Sequence, residues 1–299
     1  MHWLAPGGHI PVSRFAPKQI LCPIDLSPAS DIVLSWVRLI AKAFGSQITI
    51  IHVDRSEYPR YFTEGQLDEL ASEAVIRRQT LEQRIHDLAQ NILGSDLSFT
   101  VSVVEGHAVD VILEHLIKSP PDLVVMGRHG RGGVERLLLG SVAEHVAREA
   151  LCSMLIVRGP EIPARQHQLN RVLCPVNLTD TSQGCAAIAS TVAGKLGAEL
   201  SVLRAVEENA LPEDDAHQRL CKWISEGFRS HCRVSEIVVK GDAAEQIIIF
   251  ARREEVDLVV LGAQRRSFLE FSTLGRTTER VLRHGPSSLL LLPIDKRVK

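Results

Sequence analysis

The sequence predicts an α/β fold made of two tandem doubly wound sheets, each with five parallel strands in the order 3-2-1-4-5. Short β-branched runs alternate with helical patterns along the chain, and the runs are apolar throughout, as in strands covered on both faces. A length of 299 residues exceeds one ordinary domain. The chain also repeats itself: Leu21-Cys-Pro-Ile-Asp25 returns as Leu173-Cys-Pro-Val-Asn177.

In the first copy the strands fall near 18–25, 47–54, 98–105, 122–127 and 153–158. The fourth is the clearest, Asp122-Leu-Val-Val-Met126, bounded by Pro120-Pro121 on one side and Gly127 on the other. A long helical pattern, Gln66 to Leu93, separates the second and third strands, and a short one, Val142 to Ala150, follows the fourth. The offset between copies is 152 from Leu21 to Leu173 and becomes 135 from Gly106 to Gly241 onward. The 17 residues lost lie between the second and third strands, where the second copy has only Glu213 to Ser230. A peripheral helix is shortened and the strands are kept.

Residues 1–16, with prolines and adjacent glycines but no charged start or apolar core, read as a flexible leader rather than a signal peptide. Residues 17–159 form the first copy, 160–169 a linker containing Pro160 and Pro163, and 170–299 the second copy. The net charge of -2 gives no support for nucleic-acid binding. No apolar run approaches the roughly 20 residues that span a bilayer. The six cysteines show no CxxC pair and suit reduced thiols in a cytoplasmic protein. Cys221, His231 and Cys232 lack a fourth zinc ligand at recognisable spacing.

The chemistry gathers at residues 127 to 141. Gly127, Gly130, Gly140 and Ser141 stand in the frame G-x2-G-x9-G-S between a buried strand and a helix. A strand, a glycine loop and a helix opening with Gly-Ser bring backbone N–H groups and a hydroxyl to an anion at the helix's positive end. Glycine lets the backbone approach because no Cβ intervenes. In a doubly wound sheet, strands one and four adjoin at the switch point, so Asp25 and the Gly127 loop face one crevice. An acidic side chain there accepts hydrogen bonds from ribose hydroxyls. Ser27 is expected to cap the first helix with Pro28 at its first position, which leaves Asp25 for a ligand. Arg128, His129, Arg131 and Arg136 read either as phosphate contacts or as solvated loop residues. His52 reads as a satisfied strand-end histidine and stays outside the site.

The second copy keeps the spacing but not the residues. Gly262 and Gly275 remain, while Arg265 replaces Gly130, Arg276 replaces Ser141 and Asn177 replaces Asp25. A long side chain in the volume of a phosphate predicts loss of nucleotide binding there, the alternative being that its charge draws in a free anion. Exchanging Arg265→Gly with Arg276→Ser is expected to restore part of a second site.

Pro23 and Asp25 ending strand one, His52-Val53 ending strand two and the long glycine motif after strand four resemble the universal stress protein family, twice over and across nearly the whole chain. The resemblance implies an adenine nucleotide alpha hydrolase-like fold and an ATP site, with magnesium or manganese commonly accompanying the nucleotide. It places Asp25 on the ribose and the Val53 backbone at the adenine. Gly127, Gly130, Gly140, Ser141 and Val142 surround the phosphates, and Pro23 and Met126 complete the candidate site. It further implies an intrachain pseudo-dimer through the apolar runs Met154–Val157 and Leu289–Leu292, because single-domain members dimerise, with a homodimer of the whole chain as a further expectation. The main functional expectation is a cytoplasmic, nucleotide-dependent stress-response regulator. Two alternatives stand beside it, a nucleotide-independent scaffold and a slow ATPase. For an enzyme, no Walker A lysine motif, S-G-G-x-D-S loop or H-I-G-H motif is present, and no catalytic residue is assigned.

Overall fold

A computed structural model describes residues 15–55, 64–130, 139–158, 168–207, 213–224, 226–268 and 271–294. The first half runs β1 (Gln19–Ile24), α1 (Ala29–Phe44), β2 (Gln47–Asp54), α2 (Glu64–Leu93), β3 (Phe99–Glu105), α3 (Ala108–Lys118), β4 (Leu123–Gly127), α4 (Ser141–Glu149) and β5 (Ser153–Val157). The second opens with β6 (Arg171–Pro175), α5 (Asp180–Leu196), β7 (Glu199–Val206), α6 (Glu213–Trp223), α7 (Glu226–Arg229) and β8 (Val234–Lys240). It closes with α8 (Ala243–Arg253), β9 (Leu258–Phe268), β10 (Phe271–Leu274), α9 (Arg276–His284) and β11 (Ser288–Ile294). The expected leader up to residue 14 and the expected linker from 160 to 167 lie outside the described residues.

Both halves are doubly wound with parallel strands, in the order expected, but their sheets fuse into one. The strand order is β3-β2-β1-β4-β5-β11-β9-β6-β7-β8, with β10 paired to β9 off this path. The seam is the antiparallel pair β5–β11, in which Leu289, Leu290 and Leu291 face Ile156, Leu155 and Met154. These are the apolar runs that end each copy. Their pairing removes two edges that would otherwise present unpaired backbone groups.

Helices cover both faces, and each face carries one core that runs through both halves. On one side α1 and α5 meet, and Leu34, Val37 and Ile40 share a cluster with Cys185, Ala189 and Val192. On the other, Val146 and Ala147 of α4 share a cluster with Val281 and Leu282 of α9. Burial on both faces is why the strand sequences are apolar without alternation. Cys22 and Cys174 sit fully within this core, where burial pushes their thiols well up. None of the six cysteines is in a disulfide.

Two expectations require correction. The helical pattern Glu213 to Ser230 is divided into α6 and the four-residue α7. More consequentially, the segment after Gly262 is no loop: β9 continues to Phe268 and returns as β10, with Arg265 opposite Leu274 and Phe268 opposite Phe271. Residues 263 to 274 contain no glycine and include Phe268, Phe271 and Thr273, which favour a hairpin ladder.

Candidate functional site

The carboxyl ends of β1, β2 and β4 and the start of α4 enclose a cavity of about 710 Å³, within the range of small-molecule sites. It lies at the switch point, because β1 pairs in parallel with β2 on one side and β4 on the other. Pro23, Asp25, Val53, Gly127, Gly130, Gly140, Ser141 and Val142 all line it. Met126 does not. It is 5% exposed and packs into the core beneath α4, because alternation along β4 turns its side chain from the crevice.

Asp25 is held by its own turn. Its Oδ1 accepts the Ser27 N–H at 3.0 Å and the Ser30 hydroxyl at 3.4 Å. This corrects the expected cap: Pro28 occupies the cap position of α1 without a side-chain bond, and Ser27 Oγ is buried with no hydrogen-bond partner. The carboxylate of Asp25 closes the turn that was assigned to Ser27, and so arrives at the cavity oriented rather than loose. On the opposite wall, a Cβ at Gly130 would stand 2.8 Å from Asp25 Oδ2, and one at Gly140 would stand 3.0 Å from the Arg128 carbonyl. The two glycines keep open a space that any other residue would fill.

Gly140 caps α4 with no side-chain hydrogen bond, so the first amides of this nine-residue helix face the cavity without an intrahelical acceptor. Bare amides at a positive helix end, a hydroxyl at Ser141 and a fixed carboxylate at Asp25 fit a phosphorylated nucleoside. Gly127, Gly130, Gly140, Ser141 and Val142 line the end of the cavity at the start of α4. His129 also lines this end, with its pKa lowered first by burial and then by Arg128 and Arg158. His52 is 3% exposed and its Nδ1 lies 2.8 Å from the Ile24 carbonyl, a satisfied strand-end residue that nonetheless contributes to the wall. On the rim, Arg77 of α2 reaches Asp54 at 2.9 Å.

Arg128 behaves unlike a phosphate ligand. Its side chain turns to the second half, with Nη1 donating to the Gly285 carbonyl at 2.9 Å and Nη2 to that of Arg283. Arg131 and Arg136 lie outside the described residues. Sequence reading missed the Arg128 contact, and no local signal carries it, since its acceptors lie more than 150 residues away.

The second half has a cavity of about 390 Å³ at the matching place, lined by Asn177, Gly262, Gly275 and Arg276. Asn177 repeats the turn, its Oδ1 accepting from the Thr179 hydroxyl at 2.7 Å. Ile294, at the end of β11, presses on it: a Cβ at Gly262 would lie 2.3 Å from Ile294 Cδ1. At an offset of 135 the first copy has Gly159 instead. Cys221 Sγ lies 3.5 Å from His217 Nδ1, whereas His231 Nδ1 bonds the Gly227 carbonyl. Among the described residues no group of three His, Cys, Asp or Glu is placed to hold a metal ion, and no helix is long and apolar enough to cross a membrane.

Comparison with known proteins gives one family. The family model described as universal stress protein matches residues 17–158 and 226–293. Universal stress protein MJ0531 of Methanocaldococcus jannaschii is 31% identical over 145 residues, covering 48% of this chain and 84% of the relative. Universal stress protein Rv2005c of Mycobacterium tuberculosis is 27% identical over 289 residues, covering 88% of this chain and 92% of the relative, so its length is that of both copies. A universal stress protein structure from Archaeoglobus fulgidus superposes with a TM-score of 0.70 at 20% identity, covering 93% of this chain and 98% of that one. With the family model spanning well over half of its residues, the chain belongs to the universal stress protein family.

Proposed function

We propose that the first half, residues 17–159, binds ATP together with magnesium or manganese, and that occupancy regulates the protein's part in a cytoplasmic stress response. The observation that carries this reading is the pairing of Gly130 with Asp25 across the larger cavity, beside the uncapped start of α4. In this reading Asp25 accepts from the ribose hydroxyls, the backbone at Val53 meets the adenine, and the amides from Gly127 to Val142 hold the phosphates. The metal ion supplies charge neutralisation along the phosphates. The second half, residues 170–299, carries no ATP in this assignment, because Ile294 and the β9–β10 hairpin take the space.

The deciding experiment is denaturing release and mass identification of nucleotide from the purified protein, followed by calorimetric titration of ATP-Mg into stripped material. One adenine nucleotide per chain is the expected result. Two per chain would overturn the assignment of the second half. None at millimolar ATP would favour the scaffold reading, for which the smaller second cavity and the shared sheet are the supporting features.

A further inference from the structure

Arg128 is 6% exposed, yet its guanidinium meets no carboxylate in any hydrogen bond or ion pair described. It lies instead at the C-terminal end of α9, where Arg158 also donates to the Gly285 carbonyl at 2.5 Å. Carbonyls at a helix C-terminus carry partial negative charge and attract cations. Two guanidiniums on one helix end repel each other, and burial together with Arg158 pulls the Arg128 pKa down to about 10. Arg128 Nε is left buried with no hydrogen-bond partner. Such an arrangement is costly for stability alone.

The main chain of Arg128 is part of the phosphate loop. Its N–H donates to Val157 at the end of β5, at 2.8 Å, and its carbonyl accepts the Gly140 N–H at the cap of α4, at 2.9 Å. One residue thus joins the loop, the seam strand and the last turn of a helix in the other half. The first turn of that helix, through Arg276, Thr277 and Thr278, lines the second cavity. The connection runs one way. At the matching place the second copy has Ala263, which has no side chain to return the contact to the end of α4.

We propose that Arg128 is a positioning residue that couples the first cavity to α9, so that filling this cavity and ordering the end of α9 are linked equilibria. The proposal rests on the nucleotide reading above. When phosphates bind beside Gly127 and Gly140, they hold the Arg128 backbone between Val157 and Gly140 more firmly, and its guanidinium holds the α9 carbonyls more firmly in turn. By reciprocity, disturbing those carbonyls weakens nucleotide binding from a distance.

The test is hydrogen exchange by mass spectrometry on the full chain, with ATP-Mg titrated to saturation, comparing wild type with Arg128→Met. In wild type, peptides covering 123–146 and 276–285 are both expected to slow. In Arg128→Met, with ATP scaled to the variant's own affinity, only the first set slows. A second variant, Gly285→Ala, puts a Cβ 2.5 Å from the Val281 carbonyl and so displaces the acceptor without touching the first cavity. It is expected to weaken ATP binding about fivefold or more. The proposal is overturned if α9 is unmoved in wild type while 123–146 respond, or if α9 still responds in Arg128→Met. Unchanged ATP affinity in Gly285→Ala overturns it too, and this arm stands even where Arg128→Met does not fold. Absence of any response in wild type removes the nucleotide reading, and the coupling with it.

Discussion

The two halves share a strand order, a turn at the end of the first strand and a glycine five residues into the fourth, yet one holds a cavity nearly twice the size of the other. The difference does not come from the strands. In the first half the chain leaves β4 at Gly127 and returns at Gly140, and backbone amides are presented to the crevice. In the second half the strand runs on for six residues past Gly262 and folds back on itself, and its ladder with β11 extends to Gln264 and Ile294. A duplicated scaffold can therefore lose a site by lengthening one strand, because the added ladder brings a side chain over the glycine that once gave access.

Gly130→Arg tests the comparison most severely, since it imports the residue at position 265 of the second copy. Its Cβ meets Asp25 before the rest of the side chain is placed. Calorimetry should show ATP affinity falling by roughly a hundredfold, about 2.7 kcal/mol. Gly130 is exposed and outside the core, so the thermal midpoint of the ligand-free protein should stay within about 2 °C. Unchanged affinity would refute the placement of the phosphates.

Ile294→Ala tests the same contrast from the closed side. The side chain is 8% exposed and packs on Gly262, so its truncation should destabilise the chain by about 2 kcal/mol in urea unfolding. It enlarges the second cavity without creating a phosphate loop, so the nucleotide count should stay at one per chain. For the same reason the double exchange Arg265→Gly with Arg276→Ser should yield no second nucleotide, contrary to the expectation from sequence. The hairpin backbone, not the two arginines alone, separates the sites. A second equivalent of ATP in either variant would show that side chains decide.

Asp25→Asn is subtler because it imports Asn177, which makes the same kind of turn. The bond to the Ser27 N–H should survive, so stability should change little. What is lost is charge-assisted acceptance, with an expected tenfold loss of ATP affinity, about 1.4 kcal/mol. If Asp25→Ala gives no more loss than Asp25→Asn, the turn contributes nothing to binding and only the charge matters.

In the first half the strands were legible from sequence to within about one residue, for a physical reason: strands buried on both faces must be apolar without interruption, and turn residues bound them. Eight of the nine candidate residues line the cavity, since the glycine frame and the strand ends are local patterns. What escaped was decided elsewhere. Met126 belongs to the candidate site implied by the resemblance, but strand alternation sends it to the core. Ser27 and Asp25 both suit a turn, and only backbone geometry shows which one closes it. The hairpin at 258–274 shares its spacing with a loop, so the count of residues concealed the change of conformation. Arg128 and Ile294 act through tertiary contacts that no local window contains.

The smallest expected effect concerns what the halves still share. Across the seam Glu144 of α4 meets Arg148 and, in the other half, Arg283, both at 2.7 Å, while Glu279 of α9 meets Arg283 and Arg148, both at 3.3 Å. Positions 144 and 279, and 148 and 283, differ by the repeat offset of 135, so the four side chains form one nearly two-fold network. All are partly exposed, and exposed pairs contribute about 0.2–1 kcal/mol each before screening by salt. Glu144→Gln and Glu279→Gln should therefore each cost less than about 1 kcal/mol in urea unfolding, with Glu144→Gln the larger because its contacts are shorter and its side chain more buried. The two substitutions share partners, so the double variant should depart from additivity, and raising the salt should shrink that coupling. Strict additivity would mean that the seam is held by the β5–β11 ladder and its apolar side chains alone, with the symmetry of the charges a trace of duplication rather than a source of cohesion.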